Sequence, residues 1–442
     1  MDPARRVAFD ALRAVHADAA YANLILASLL RERSLPPRDA AFATELLSGT
    51  CRMEGTYDLI IVAAAGRRLN SLQPAVLDVL RLGTHQLLAM RVPSHAALAA
   101  TVDLAAATVG ERVTGLTNAI LRKVAARDYE GWVSELTAGL GTAAAMAVRT
   151  AHPTWIVDAF APLLPAEELE PALAANNLSP GTSLAVRPGL AGVDELIGSG
   201  AAPGRHSPFA VTWSGNPADL AGVRTGTVGV QDEGSQLVAW GLSRAAAAPG
   251  WWLDLCAGPG GKAALLTGLA TADGSRVLAG EISPHRAALI AGAVRAYTGT
   301  DHPAGLVIAD GTRPAWRPGT FSRVLVDAPC SGLGTLRRRP ESRWRRESTD
   351  VEQLHPLQTA LLQSALDAVA PAGVVAYVTC SPHVRETTDV VEEVLATRDD
   401  VVVEEGRQLM PEMAGAARGP YVQLWPHRHG TDAMFAAYLR RR

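Results

Sequence analysis

Lysine is almost missing from this 442-residue chain: Lys123 and Lys262 are the only two, and arginine supplies the rest of the 41 basic residues against 44 acidic ones. A formal net charge of -3 excludes a molecule that grips polyanions with its whole surface, but it leaves room for a local basic patch. Cysteine is scarce too. Cys51, Cys256, Cys330 and Cys380 are too few for a disulfide framework at this length, and no C-x-x-C pair suggests zinc. Apolar runs stay far below the roughly 20 residues needed to span a bilayer, and the Ala-rich stretch 243–250 is broken by Arg and Pro. The N-terminal MDPARRVAFDALRAV is amphipathic and lacks the layout of a signal peptide. These absences predict a cytoplasmic protein with free thiols and no membrane partner. With 48% hydrophobic and 19% charged residues the chain is of folded type, and at roughly 150 residues per domain its length predicts about three domains.

Residues 1–135 read as helices only. Phe9, Leu12 and Val15, then Phe42, Leu46 and Leu47, then Tyr57, Ile60 and Ile61 repeat at helical spacing, while Pro36-Pro37, Gln73-Pro74 and Pro93-Ser94 mark helix starts. Residues 136–225 are mixed, with a helix at 154–164 and short strands at 183–186 and 209–213, which predicts a small α+β domain. From 226 to 442 apolar runs at 252–255, 277–279, 306–308, 324–326, 374–378, 401–403 and 421–424 are mostly separated by helical stretches. That rhythm predicts a doubly wound, mostly parallel α/β sheet of Rossmann-like type, with ligands at the carboxyl ends of its strands.

The first of these strands runs into Cys256-Ala257-Gly258-Pro259-Gly260-Gly261-Lys262 and then a helix. Glycines at such a turn let the backbone approach a ligand, and the helix N-terminus offers free donors. Ala263 stands where a P-loop needs Ser or Thr. Glu281, about 20 residues on and after the second strand, suits ribose hydroxyls, so the pattern predicts an adenosine cofactor. Asp310, after the third strand, suits the adenine amine or a turn before Gly311.

Asp327-Ala328-Pro329-Cys330-Ser331 follows the fourth strand and Thr379-Cys380-Ser381-Pro382 the fifth, so both thiols fall at the carboxyl edge beside the glycine turn. A buried cysteine is often a small hydrophobe; two at adjacent strand ends, one beside an aspartate, suggest an activated nucleophile. Carbon 5 of a pyrimidine is a poor nucleophile until a thiolate adds at carbon 6, and a carboxylic acid at N3 can stabilise the charge that develops. The constellation fits methylation of carbon 5 of cytosine or uracil from S-adenosylmethionine. Spacing leaves open which cysteine attacks.

DLCAGPGGK, DAPCSGLGTLRRRPESRW, TCSP and HGTDAMF resemble the motifs of the NOL1/NOP2/Sun family of RNA cytosine-5 methyltransferases, and the helical region with LTNAILRKV resembles the NusB-type RNA-binding domain. The resemblance covers essentially the whole chain; its catalytic motifs are specific and its middle section is weak. It implies a NusB-like bundle at 1–135, a small linker domain at 136–225 and a class I methyltransferase domain at 226–442. It also implies 16S rRNA of the small subunit as substrate, naked or in an assembling particle. By the resemblance Cys380 is the nucleophile, Cys330 assists breakdown of the covalent adduct, and Asp327 contacts the cytosine edge. Residues 256–262 with Glu281, Asp310 and Asp327 would hold S-adenosylmethionine. Two positions depart from the family pattern: Gly258 replaces a common alanine, and Ala433-Met434 replaces a more usual Gly-Phe.

Arg337, Arg338, Arg339, Arg343, Arg345 and Arg346 crowd around Trp344 just after the Cys330 motif. They could hold phosphates while a base is turned outward, or form an ordinary surface loop; Trp344 could stack on a base or pack inward. Arg5, Arg6 and Arg13 lie near one face of the first helix and could help grip RNA. His427 and His429 lack companions at ligand spacing, so no metal site is predicted. Rival readings are a NusB-like RNA-binding factor without catalysis, C5 methylation of another RNA such as tRNA, and a nicotinamide-dependent dehydrogenase, which has no use for the two thiols. Amino-group methylation would favour N/D-P-P-aromatic where this chain has Asp327-Ala328-Pro329-Cys330.

Overall fold

The computed structural model describes residues 2–300 and 304–442. Its backbone divides into two compact units, one formed by residues 1–178 with 336–347 and the other by residues 179–335 with 348–442.

The first unit is helical: α1 (Pro3–Ala17), α2 (Ala22–Arg33), α3 (Pro37–Ala65), α4 (Pro74–Leu88), α5 (Ser94–Thr108), α6 (Thr114–Val124), α7 (Tyr129–Thr137), α8 (Thr142–Thr150), α9 (Thr154–Phe160) and α10 (Ala166–Ala175). Proline at the first position of α1, α3 and α4 costs no hydrogen bond, and the Asp2 side chain caps α1 by accepting from Arg5 N at 2.8 Å. Leu12, Leu46, Leu47, Val79, Leu82 and Leu104 bury one core between α1, α3, α4 and α5, and Tyr57, Ile60, Leu80, Ile120 and Leu121 bury a second. The helices run on past 135, and α7 to α10 belong to this unit rather than to a middle domain.

Charge inside this bundle is paired. His16 Nδ1 lies 2.7 Å from Asp78 Oδ1 and its Nε2 3.1 Å from Glu54 Oε2, while Arg81 joins Asp58, Glu54 and Asp78. Burial alone would depress the His16 pKa, but the two carboxylates overcome it and lift it to about 9. Arg13 pairs with Asp78 at 2.7 Å, Arg5 with Asp2 at 3.2 Å and Arg6 with Asp10 at 2.9 Å. The three arginines expected to grip RNA are therefore engaged in ion pairs within the bundle.

Residues 336–347 complete this unit. Arg343 is fully buried and donates to Ala151 O, Asn177 Oδ1 and Asn176 O at 2.7–3.1 Å. Trp344 Nε1 donates to Cys51 O at 2.8 Å, and its ring covers Gly55, where a β-carbon would collide with it. Arg345 donates to Val15 O, Ala19 O and Ala20 O, and Ala22 N to Glu341 Oε1. Arg343 and Arg345 of the arginine segment are thus engaged inside this unit, because bare carbonyls at helix ends need donors and guanidinium supplies several at once.

In the second unit β1 (Thr182–Val186), β2 (Ala202–Pro203), β3 (Ala210–Trp213) and β4 (Val228–Val230) make a small antiparallel sheet in the order β2-β3-β1-β4. Two of these strands were expected from sequence. The large sheet holds β5 (Trp251–Asp254), β6 (Arg276–Glu281), β7 (Gly305–Ile308), β8 (Phe321–Asp327), β9 (Val369–Thr379), β10 (Val401–Glu404), β11 (Ala417–Arg418), β12 (Tyr421–Gln423) and β13 (Phe435–Arg441). Strands β7-β6-β5-β8-β9 are parallel, and β10 to β13 extend the sheet in antiparallel fashion through β13 on β9. Val374, Ala376 and Val378 of β9 face one core and Val375 and Tyr377 the other, the period of two that a sheet covered on both faces imposes. The chain winds outward from β5 to β7 and returns beside β5 as β8, so the sheet has a topological switch point between β5 and β8.

Candidate active site

The glycine turn leaves β5 and enters the helix Gly261–Ala272, with Gly260 at φ +105°, a conformation that L side chains rarely adopt. Gly258 N donates to Glu281 Oε2 at 3.2 Å, Ser283 N to Glu281 Oε1 at 3.0 Å, and Arg286 Nη2 to Gly258 O at 2.6 Å. A β-carbon on Gly258 would run into the Glu281 carboxylate and the Arg286 guanidinium, which gives the departure from alanine at this position a physical sense. Glu281, Ile282, Asp310, Leu255, Leu357 and Leu361 line a cavity of about 110 Å³ beside the turn. Asp310 Oδ1 accepts from Thr312 N and Thr312 Oγ1, which lowers its pKa and leaves its other oxygen outside this turn.

Asp254, which the sequence reading passed over, ends β5 with both carboxyl oxygens buried and without a hydrogen-bond partner. Burial, and then the nearby Asp327 charge, push its pKa up to about 8. A turn that needs glycine at 260, a ribose-type acid, an apolar slot and orphaned buried acceptors together suit a nucleoside bearing a cationic amino-acid tail.

Across the switch point, Lys262 Nζ meets Asp327 Oδ2 at 2.8 Å. Burial works against the Lys262 charge, but the Asp327 carboxylate outweighs it and raises the pKa. The two thiols expected at strand ends come together: Cys330 Sγ lies 3.3 Å from Cys380 Sγ. The contact between them lowers the Cys380 pKa, with help from Lys262, and raises that of Cys330. Of the two, Cys380 therefore gives up a proton more readily than Cys330. Burial pushes the thiols of Cys256 and Cys51 up, away from reactivity.

The next residues repeat the pairing. Ser331 Oγ lies 3.2 Å from Ser381 Oγ, and the fully buried Glu386 accepts from Ser331 N at 2.7 Å and Ser331 Oγ at 2.5 Å. Gln358 Nε2 donates to Pro329 O and to Glu386. Gly334 N donates to Cys380 O and Ala433 N to Gly334 O, which brings the Gly430–Met434 segment against the thiols. Of the arginine segment, Arg337 is buried and Arg338 and Arg339 are exposed, Arg339 lying over the Tyr21 ring at 4.9 Å; Trp344 is the packing residue described above. Glu386 gave no signal in sequence, since an acid six residues beyond Cys380 looks like any helix-start residue.

With a glycine cradle after β5, an acid at the end of β6 and a match to a methyltransferase family, this doubly wound sheet is that of an S-adenosylmethionine-dependent methyltransferase. The family described as 16S rRNA methyltransferase RsmB/F matches residues 245–440, and the NusB family matches residues 2–126. "Putative methyltransferase Rv1407" of Mycobacterium tuberculosis (strain H37Rv) is 50% identical, over 100% of this chain and 97% of its own length. The ribosomal RNA small subunit methyltransferase B of Pseudomonas syringae pv. tomato is 33% identical over 99% and 97%. The crystal structure of PH0851 shares the fold with a TM-score of 0.83 at 20% identity, covering 100% of this chain and 99% of the other. The chain belongs to the RsmB/F family of rRNA methyltransferases, with a NusB domain at its N-terminus. Among the described residues no helix is long and apolar enough to cross a membrane.

Proposed function

We propose that the protein methylates carbon 5 of a cytosine in 16S rRNA through a covalent adduct on Cys380. The observation that carries this reading is the 3.3 Å thiol pair with its opposed pKa shifts, beside the Lys262–Asp327 pair. S-adenosylmethionine supplies an electrophilic methyl group. The Cys380 thiolate adds to carbon 6, forming the S–C6 bond and passing an electron pair toward carbon 5 and N3. Asp327 offers an acceptor for the exocyclic amine, and the Lys262 ammonium offsets charge developing on the ring. Once carbon 5 bears the methyl group, Cys330, having given its own proton to water, takes the carbon 5 proton, and the released electron pair re-forms the C5–C6 double bond and breaks the S–C6 bond, which returns Cys380 as thiolate. The substrate class rests on the relatives, whose names specify small-subunit rRNA.

Two variants test the roles. With S-adenosylmethionine and 16S rRNA, Cys330→Ala accumulates a protein–RNA adduct on denaturing gels and Cys380→Ala forms none. An adduct on Cys380→Ala overturns the assignment. Bisulfite sequencing of 16S rRNA from cells lacking the protein locates the cytosine, and no lost site refutes the substrate.

A further inference from the structure

The small sheet has no part in the reaction just described, yet one of its loops reaches the catalytic segment. Residues 204–209 join β2 to β3. Glu233, nearly buried, takes three successive main-chain donors of this loop on one carboxylate: Arg205 N at 3.2 Å, Ser207 N at 2.6 Å, and His206 N. Gly204 N is tied to Ala210 O at 2.8 Å, and His206 Nε2 meets His429 O at 3.0 Å. A loop held at both ends and along its backbone is a rigid mount. It presents Arg205, whose side chain is exposed and forms no ion pair with the described acidic residues.

The place where it stands is specific. Arg205 Nη1 lies 3.2 Å from where a β-carbon on Gly430 would be, and Gly430 sits at φ +72°. Two residues on, Asp432 N donates to Asp232, next to Glu233 in sequence, and the Asp432 charge acts on Cys380. Ala433 N then bonds Gly334 O, and Gly334 N bonds Cys380 O. The Arg205 guanidinium therefore stands beside Gly430, in the segment that Ala433 joins through Gly334 to Cys380.

We infer that Arg205 binds a phosphate of the RNA next to the target nucleotide, and that the small sheet serves to hold it there. The inference rests on the RNA substrate proposed above. A planar guanidinium matches a phosphate through two parallel hydrogen bonds, and phosphate contacts set the register in which a base is delivered.

The test is filter binding of a 16S rRNA transcript across a salt series, comparing wild type, Arg205→Ala and Arg317→Ala. Arg317 is an exposed control of equal charge just before β8, at the amino edge of the parallel sheet, away from the site. Arg205→Ala should lower the slope of log K against log salt by about 0.7–0.9 and weaken binding about five-fold near 0.1 M salt. Arg205→Lys should keep the slope and lose part of the affinity, and Arg317→Ala should match wild type. An unchanged slope in Arg205→Ala, or an equal change in Arg317→Ala, overturns the inference. Binding needs no turnover: if wild type transfers no methyl group to 16S rRNA but the slopes differ as stated, the substrate reading falls and the phosphate contact stands.

Discussion

Glu386→Gln should separate the two halves of the reaction. The wild-type carboxylate, with no exposed surface, accepts two bonds from Ser331, the residue after Cys330. The amide keeps the volume and removes the charge. It can still accept from Ser331 N through its oxygen, but its NH2 then faces Ser331 Oγ, which must turn its hydrogen toward Ser381 Oγ. A charge-assisted hydrogen bond contributes roughly 1.5–3 kcal/mol against roughly 0.5–1.5 for a neutral one, so weakening two of them costs about 2 kcal/mol at the Cys330 loop. If that loop must hold its geometry in the step Cys330 assists, about 2 kcal/mol on the barrier slows adduct breakdown about 30-fold. Cys380 directly follows β9, its carbonyl accepts from Gly334 N, and it should form the adduct at close to the wild-type rate. The assay is single turnover with radiolabelled RNA, following the covalent band as it rises and decays. Ser331→Ala should shift the decay in the same direction by less. The reasoning is refuted if the Glu386→Gln adduct clears as fast as wild type, or if formation slows as much as decay.

The His16 pair in the helical unit makes stability depend on pH. Its folded pKa of about 9 lies above the ordinary 6.5, so its contribution is fully present below pH 6.5 and disappears as pH rises through 9. The shift corresponds to a contribution on the order of 3 kcal/mol. Wild type should lose urea resistance relative to His16→Gln between pH 6.5 and 9.5, and a constant difference would refute the pairing. Trp344→Ala should cost about 3–5 kcal/mol of helical-unit stability, and Trp344→Phe, which keeps most of the ring and loses the bond to Cys51 O, about 1 kcal/mol. Urea titration checks both; a neutral Trp344→Ala would return this ring to the surface and to RNA.

The chemistry was legible because it sits where strand periodicity ends. The seven apolar runs all appear as strands, and the residues just past β5, β8 and β9 converge at one crevice because parallel strands share a carboxyl edge. Strand β13 escaped notice since it ends in charged residues, although its Phe435 to Leu439 are buried against β9 and neighbouring elements. The arginine segment was harder. In a sequence where nearly every base is arginine, Arg343 and Arg338 look alike, and which is internal depends on where helix ends leave bare carbonyls. Glu386 and Asp254 were hidden for a related reason: an acid becomes remarkable only when its surroundings are removed from water.

Arg343 also fixes an order of events during synthesis. Its acceptor Asn177 precedes it by 166 residues, so at roughly 5–20 residues per second the helical unit waits on the order of ten to thirty seconds for its last piece. Through that interval the carbonyls of Ala151 and Asn176 lack the Arg343 guanidinium, and that of Cys51, inside α3, lacks the Trp344 indole. The N-terminal domain leaves the ribosome first, yet its fold closes only after the strand leading to Cys330 has been made. A nascent chain arrested before residue 343 would hold the ten helices α1 to α10 of this unit with the seam that Arg343 and Trp344 fill still open.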